Sequence, residues 1–348
     1  MNCGRRRIGY CMKHLQRTKY KIASCYVLSV LLLLTSVFLG ILLGATDLDF
    51  RNLVHTIFSC NINTPEWKIL WYVRFPRIFA GVFCGAALAV SGAVIQGVLA
   101  NRLASPSIIG VNAGAGLMIT LCASLGTVSG WRLSLFAFLG AFAAVMVVSL
   151  GAKKWGASKG TVILIGVAVN SLLGAVSDAV AVLVPEVSMM RSDFKVGDFS
   201  AVTYPKLIPA AVVILVSLLC LYSLSNELDV LALGDESAKG LGLNADLMRT
   251  IFLILAAALS GAAVSIAGLL SFVGLLVPHV IRRLTTSESR HLLPLCALFG
   301  AGFVTSCDTL SRWLFAPYEL PVGIIMAFLG APFFLFVLLQ GKGGYRRA

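Results

Sequence analysis

The stretch 74–116, RFPRIFAGVFCGAALAVSGAVIQGVLANRLASPSIIGVNAGAG, decides the fold class of this chain. Two arginines, Arg74 and Arg77, precede about twenty apolar and small residues, and the run then breaks at Asn101–Pro106 before a second Gly/Ala-rich run begins. Small residues allow the backbones of membrane helices to approach each other closely. The stretch therefore predicts a membrane-spanning helix with close neighbours, then a turn, then a second spanning helix.

The composition of the whole chain agrees with a membrane protein. Of the 348 residues, 58% are hydrophobic and 12% are charged, whereas soluble domains carry about 25% charged residues. Because one span needs about 20 apolar residues, the chain has room for about ten spans and no large soluble domain. The net charge of +13 does not indicate nucleic-acid binding, because the basic residues lie at the ends of the apolar runs.

The apolar runs predict an all-α polytopic membrane protein with about ten transmembrane helices. The spans are predicted at 22–45, 77–99, 107–125, 132–152, 161–184, 207–224, 249–270, a shorter 272–284, 292–313 and 320–340. Residues 1–21 and 341–348 are predicted to form basic tails on either side of a transmembrane domain at 22–340. Most of the 28 lysines and arginines fall on one side of this layout, and the positive-inside rule makes that side cytoplasmic. Both termini are therefore predicted to be cytoplasmic.

The two halves of the chain share a weak sequence similarity. Ser91-Gly92-Ala93 precedes a break that ends at Pro106, and Ser260-Gly261-Ala262 precedes a break that ends at Pro278. The two copies start from opposite sides of the membrane, which is compatible with an inverted repeat of two five-helix halves. Matching interrupted segments in two halves are typical of transport proteins.

One predicted cytoplasmic segment, at about 225–248, is acidic where its neighbours are basic. A short helix is predicted to begin at Asp235 and Glu236, because carboxylates are favourable in a first helical turn, and to end by Gly240 and Gly242. Such a helix on a cytoplasmic loop is typical of a docking element. An ordinary solvated linker would have the same composition.

No motif in the sequence indicates an enzyme. The nucleotide-binding pattern G-x-x-x-x-G-K-[ST] and the zinc pattern H-E-x-x-H are both missing from the sequence, so neither catalytic residues nor a resident metal or cofactor are predicted. Two acids, Asp178 and Asp308, fall inside predicted spans, where carboxylates are costly. Asp308 is expected to pair with Arg312 one turn away, and Asp178 is expected near a span end or along a water-filled path.

Taken together, six ordered stretches resemble the FecCD-type permeases, the membrane subunits of type II ATP-binding-cassette (ABC) importers. The matching stretches are RFPR (74–77), GAALAVSGAVIQGVLANRLASPSIIGVNAGAG (85–116), LGDESAKGLGL (233–243), GLLSFVGLLVPHVIRRL (268–284), CDTLSR (307–312) and ELPVGIIMAFLGAPFF (319–334). The chain departs from the usual family pattern at Arg102, Ser271 and Cys307, and in the segment 285–289.

The resemblance implies partners as well as a fold. It implies a pore made with a second permease copy, either identical or related, and two ABC ATPase subunits on the cytoplasmic face. A substrate-binding protein would dock on the outer face. The docking positions implied there are Arg74, Arg77 and Arg312.

The resemblance also implies two further groups of residues. The positions implied for ATPase coupling are Leu233, Gly234, Asp235, Glu236, Ala238, Lys239, Leu241 and Gly242. The positions implied for the pathway or for helix packing are Gly85, Ser91, Gly92, Gln96, Asn101, Pro106, Gly110, Asn112, Gly114 and Pro278.

The expected function is therefore an importer permease in the cell membrane, without enzymatic activity of its own. The expected substrate is an iron–siderophore-type chelate, with haem or cobalamin as alternatives within the same family. An ion-coupled secondary transporter is the alternative from another class, and it would work without an ATPase.

Overall fold

The computed structural model describes residues 2–44, 64–126, 130–154 and 159–341, and it contains helices but no strands within those ranges. The helices are α1 Asn2–Leu42, α2 Pro65–Val98, α3 Val111–Ser124, α4 Trp131–Lys154, α5 Lys159–Leu183, α6 Val187–Val196, α7 Tyr204–Ser223, α8 Ser225–Ala232, α9 Asp235–Gly240, α10 Ala245–Ala267, α11 Val273–Leu284, α12 Ser289–Trp313 and α13 Val322–Gly341.

The predicted all-α membrane architecture is confirmed. Seven of the described helices are long and apolar enough to cross a membrane: parts or all of α1, α2, α4, α5, α7, α10 and α12. The shorter α3 and α13 are also apolar, and α11 occupies the position of the predicted short span. The tail predicted at 341–348 lies outside the described residues except for Gly341.

Helix α2 begins earlier than the sequence predicted. Thr64 caps its first turn by accepting a hydrogen bond from the Trp67 backbone nitrogen, with a separation of 3.4 Å. A π-helical turn at Leu70–Arg74 then joins this short start to the long apolar part of the helix. Because the wider turn stays helical, the chain does not break before Arg77, where the span had been expected to begin.

Helices α2 and α10 form the centre of the molecule, since they pack on each other and are mostly buried. Glycines set their distance from neighbouring helices. A side-chain carbon at Gly85 would overlap the backbone of Gly300 in α12, and one at Gly92 would overlap Gly274 in α11. These contacts are the close backbone approaches that small residues permit in membranes.

The helix contacts are partly those that a two-fold relation between the halves would produce. Helix α2 packs on α12, in the other half, and α10 packs on α4 in the same exchanged manner. Helices α1 and α7 break the correspondence, because α1 packs on α12 whereas α7 packs on α10. The inverted repeat stays a prediction.

Helix α2 also defines two ends of the molecule. Arg77 lies in its first apolar turn and Gln96 lies near its C-terminus, and 19 residues at 1.5 Å per residue separate them by about 28 Å. We call the end with Arg77, Asp198, Asp308, Arg312 and Glu319 the Arg77 face. We call the end that carries residues 225–248 the coupling-segment face.

Candidate functional sites at the two faces

The Arg77 face is built on the start of α2. The π-helical turn places the Arg74 side chain against the end of α1, where its guanidinium donates to the carbonyl oxygens of Ile41 and Leu42. The last carbonyls of a helix have no partner within the helix. Arg74 therefore holds α1 to α2 and is buried in doing so.

Arg77 is the centre of a buried ion network. Its Nε donates to Asp308 Oδ1 at 2.9 Å, and its Nη1 donates to Glu319 Oε2 at 2.6 Å. Its Nη2 lies 3.7 Å from Asp198 Oδ1. One guanidinium therefore joins α2 to α12, to the segment before α13 and to the segment between α6 and α7. Only 3% of Arg77 is exposed.

Arg312 completes the network. Its Nη2 lies 3.2 Å from Asp308 Oδ2, one helical turn away, so the ion pair predicted from the spacing is confirmed. These two atoms are not aligned for a hydrogen bond, whereas the Arg312 Nε donates to the Asp308 carbonyl oxygen at 3.4 Å. Asp308 is 1% exposed, and its buried carboxylate faces the guanidinium groups of Arg77 and Arg312.

The charges of this network differ in exposure. Two guanidinium groups and the Asp308 carboxylate are buried, whereas the Asp198 and Glu319 carboxylates are partly exposed. An incoming group would therefore meet the two outer carboxylates first. The three arginines that the resemblance implied for docking are all buried in this chain, and Arg77 and Arg312 both pair with Asp308.

Asp178, the other acid of a predicted span, lies near the end of α5. It pairs with Arg191 of α6, and its side chain is 65% exposed. Asp178 was expected either near a span end or along a water-filled path, and the structure places it near a span end. Helix α5 is the least buried of the seven candidate spans.

A cavity of about 420 Å³ opens next to the Arg77 network. It lies between α3, α4, α6, α7 and α10, and its polar lining includes Asp193, Asp198, Ser200 and Lys206. The described residues contain no group of three His, Cys, Asp or Glu side chains that could hold a metal ion. The cavity therefore has charged groups of both signs without a metal-ligand cluster.

At the coupling-segment face, the helix predicted at the acidic segment is present as α9, Asp235–Gly240. Gly234 precedes it with φ at +112°, and Gly242 follows it with φ at +81°. Both are values that glycine adopts readily. The glycines therefore set the start and the end of this short helix.

One ion pair from α9 and a set of hydrogen bonds from α8 hold the coupling segment to the transmembrane helices, and a second ion pair lies within α10 itself. Arg249 of α10 is 2.7 Å from Asp235 and 3.4 Å from Asp246. The Asp229 carboxylate accepts from the Ser289 backbone nitrogen, with both oxygens at 3.0 Å, and from Ser289 Oγ at 2.6 Å. The segment is therefore bound to the first turns of both α10 and α12.

The outer surface of this segment carries exposed leucines. Leu233 is 69% exposed and Leu241 is 68% exposed, and Leu247 is also exposed. Glu236 and Lys239 are exposed beside them, whereas Ala238 is buried under the short helix. We call Leu233, Glu236, Lys239, Leu241 and Leu247 the leucine surface.

Most residues implied for the pathway have packing or turn roles in this chain. Gly85, Gly92 and Gly114 lie at close helix contacts, and Ser91 donates to the Ala256 carbonyl oxygen at 2.8 Å. Gln96 donates to the Gly274 carbonyl oxygen at 3.1 Å and accepts from Arg282.

The turn between α2 and α3 explains a second part of that group. Asn101 Oδ1 accepts from the Leu103 backbone nitrogen at 2.9 Å. Pro106 begins a 3₁₀ turn, and Gly110 ends it with φ at +99°. Asn112 is half-buried in α3, and Pro278 is buried inside α11.

Sequence reasoning missed Asp198, Asp229, Arg249, Ser289 and Glu319 as parts of these sites. Except for Arg249, which pairs with the nearby Asp235 and Asp246, their partners are far away in the chain, since Asp229 and Ser289 are 60 residues apart and Arg77 and Glu319 are 242 apart. No local spacing signals such a pair. Only the acidity of 225–248 gave a hint, and it indicated the segment without its partners.

Comparison with known proteins gives the family. The model of the FecCD transport family matches residues 31–340. The chain is 35% identical over 317 residues to the Fe(3+)-citrate import system permease protein YfmD of Bacillus subtilis, an alignment that covers 91% of this chain and 95% of that protein. It is 34% identical over 307 residues to the hemin transport system permease protein HmuU of Yersinia pestis, with 86% and 90% covered.

Solved structures agree with the fold. One, described as a candidate metal-chelate type ABC transporter in an inward-facing conformation, matches with a TM-score of 0.81 and 29% identity, over 90% of this chain and 97% of that one. A second, PsaBC from Streptococcus pneumoniae in complex with Fab, matches with a TM-score of 0.56 and 16% identity, over 83% of this chain and 95% of that one. The second similarity concerns the fold alone.

Proposed function

The chain belongs to the FecCD transport family, whose members are membrane permease subunits of ABC transporters, and we propose that it forms the import pathway for an iron–siderophore-type chelate. In this proposal, an outer binding protein delivers the chelate and separate ATPase subunits supply the energy. The observation that carries the proposal is the leucine surface, in which exposed leucines stand with two exposed charged residues at the coupling-segment face.

The leucine surface is suited to an ATPase subunit. Leu233 and Leu241 are more than two-thirds exposed and lie in a segment whose several carboxylates would be costly inside a bilayer. Glu236 and Lys239 beside them offer charges for orientation. Apolar anchors with a polar rim are typical of protein interfaces, and Asp235–Arg249 and Asp229–Ser289 fix this surface to two long helices.

The test of this docking is co-purification of the ATPase subunit with the chain in detergent. Replacing Leu233 and Leu241 by serine should reduce the recovered ATPase at least about tenfold, since each buried leucine contributes roughly 1.5–3 kcal/mol. Leu103→Ser is the matched control, because Leu103 is an exposed leucine in the turn at the same end. Equal recovery from all three proteins would refute docking at this surface.

The Arg77 face is our proposed docking site for the binding protein. The implied docking positions Arg77 and Arg312 are buried but lie under Glu319, which is only partly buried. A carboxylate of the partner would compete with Glu319 for the Arg77 guanidinium. Arg74 contributes by holding the ends of α1 and α2 in place.

Two substitutions with opposite effects test this competition. Glu319→Gln removes the internal competitor and should strengthen binding of the outer protein to the chain in lipid nanodiscs. Arg77→Gln should weaken it. Affinities that both change in the same direction would contradict the competition at Arg77.

We also propose that the cell membrane holds the chain with residue 235 and both termini in the cytoplasm and residue 195 outside. The basic termini support this orientation, and the exposed leucines of the coupling segment suit a cytoplasmic ATPase partner. Reporter fusions at residues 195, 235 and 348 would test it. An extracytoplasmic signal from residue 235 would reverse the proposed roles of the two faces.

A second permease copy, identical or related, would complete the pathway in this proposal. Helix α5 supports it, because this span is the least buried of the seven and exposes Ser171 and Asp178. A single cysteine introduced at position 175 (Ala175→Cys) should cross-link two copies of the chain in membranes. Cross-linking at Leu219 of α7 instead would place the second copy elsewhere.

The substrate proposal rests on what the relatives are named for, ferric citrate and hemin. Uptake of labelled ferric siderophore, haem and cobalamin by cells that carry the complete system would separate the three chelates. Uptake that continues after the ATPase subunit is removed would favour an ion-coupled transporter.

A further inference from the structure

Helix α12 connects the two faces and is bound by a carboxylate at each end. At the coupling-segment face, Asp229 accepts three hydrogen bonds from Ser289, two from its backbone nitrogen and one from its hydroxyl. At the Arg77 face, Asp308 of the same helix accepts from Arg77. The helix of 25 residues, Ser289–Trp313, spans about 37 Å at 1.5 Å per residue.

Helix α10 is bound at both ends in a similar way. Its first turns hold Asp235 through Arg249 at 2.7 Å. At the other end, the Ala267 carbonyl oxygen accepts from the Asp198 backbone nitrogen at 2.8 Å. The Asp198 carboxylate lies 3.7 Å from Arg77 Nη2, so Arg77 is connected to the far ends of both α10 and α12.

Asp229 differs from the other acids of the coupling segment in what it contacts. Its side chain faces the start of α12, and it is not part of the leucine surface. The nearby side chains Leu228 and Leu231 are buried in the core, so α8 is held both by their packing and by the bonds of Asp229 to Ser289. A movement of the first turn of α12 would therefore carry α8 with it.

We infer that Asp229 is a positioning residue for transport coupling, which transmits rearrangements of the Arg77 network to the leucine surface through α12. Close-packed helices do not deform smoothly, so displacement at one end is passed along the element. The role of Asp229 as a link to an ATPase rests on the proposed function. The mechanical link between the two faces does not.

The link is tested without any partner by hydrogen exchange of the full chain in lipid nanodiscs. Glu319→Gln perturbs the Arg77 network at its partly exposed edge and should change the exchange rates of the amides in 225–248. Coupling between distant sites usually amounts to about 5-fold or more. When Asp229→Ala is also present, Glu319→Gln should no longer change the exchange rates of those amides.

Two further variants separate transmission from simple loss of structure. Asp229→Asn should retain the response, because asparagine is also a good helix-capping acceptor. Glu236→Gln, in the same segment but exposed, should retain it as well. An unchanged response in Asp229→Ala, or no response in the otherwise unaltered chain, would overturn the inference.

The connection to transport is then measured as stimulation of ATP hydrolysis by the outer binding protein. We expect Asp229→Ala to reduce that stimulation about 5-fold or more while the ATPase subunits still co-purify. Full stimulation in this variant would overturn the inference and leave the proposed function intact. Failure of the ATPase to associate with the unaltered chain would count against the proposed function, whereas the exchange result would stand.

Discussion

The two faces of the molecule hold their charges in opposite ways. At the Arg77 face, arginines and carboxylates are buried against one another and the outermost groups are acids. At the coupling-segment face, the ion pair between Asp235 and Arg249 binds the segment to α10, and leucines are exposed on the outer side of the segment. The first face is therefore sensitive to the loss of a buried charge, whereas the second is sensitive to lost apolar contact area.

The largest effect is expected at the centre of the Arg77 network. Asp308→Asn would leave Arg77 and Arg312 without their shared buried carboxylate, and breaking a buried pair typically costs about 3–5 kcal/mol. We expect a clear loss of thermal stability in detergent. Glu319→Gln is the control, because its carboxylate is partly exposed and the loss should be at most about 1 kcal/mol. Equal losses would mean that burial does not distinguish the two acids.

A smaller effect is expected where α2 approaches α11, between the two faces. The added carbon of Gly92→Ala would overlap the backbone of Gly274, and such overpacking costs about 1–3 kcal/mol. Gly174→Ala in α5 is a matched control, because no atom lies within 4 Å of the added carbon. Thermal unfolding should distinguish the two variants. An unchanged Gly92→Ala protein would show that the helices can separate freely.

The next expected effect lies at the cap between the coupling segment and α12. Ser289→Ala removes the hydroxyl bond to Asp229 but retains the backbone bonds. The net worth of one such hydrogen bond is about 1 kcal/mol. Thr250→Ala is a comparison, since its hydroxyl bonds only to a carbonyl of its own helix. Comparing the unfolding midpoints of the two variants would show which hydrogen bond contributes more to stability. A larger decrease of the midpoint in Thr250→Ala than in Ser289→Ala would contradict the importance of the cap.

The smallest effect is expected at Asp178. Its bond to Arg191 lies at an exposed end of α5, where water competes for both charges. Asp178→Asn should leave the unfolding midpoint unchanged. A marked destabilisation would show that this pair is shielded, for example by a second copy of the chain on α5. The measurement therefore also informs the proposed pore.

Sequence reasoning predicted the helices well because they depend on local properties. Apolar runs, breaks at Asn101–Pro106 and the acidic start at Asp235 are all readable within a few residues of each other. The same holds for Asp308 and Arg312, whose four-residue spacing predicted their ion pair. For Asp178, the local sequence left two positions open, near a span end or along a water-filled path, and only the structure places it near the end of α5.

The partners of the charged residues could not be predicted in this way. Arg77 was predicted as a docking position, and the structure adds that Asp308, Glu319 and Asp198 surround it. Asp229 gave no signal, because its partner Ser289 begins a helix four elements later in the chain. Such pairs depend on which helices become neighbours, and the two segments approach only when the whole fold forms.

The sequence by itself thus determined that the chain is a helical membrane protein with a turn between its second and third spans and a distinct acidic segment. Hydrophobic length and small-residue content act locally, so they can be read from the chain. The tertiary structure decided which charges are buried, which leucines remain exposed and that α10 and α12 link the two faces. Burial and long-range pairing are properties of packed neighbours, and no single segment of the sequence contains them.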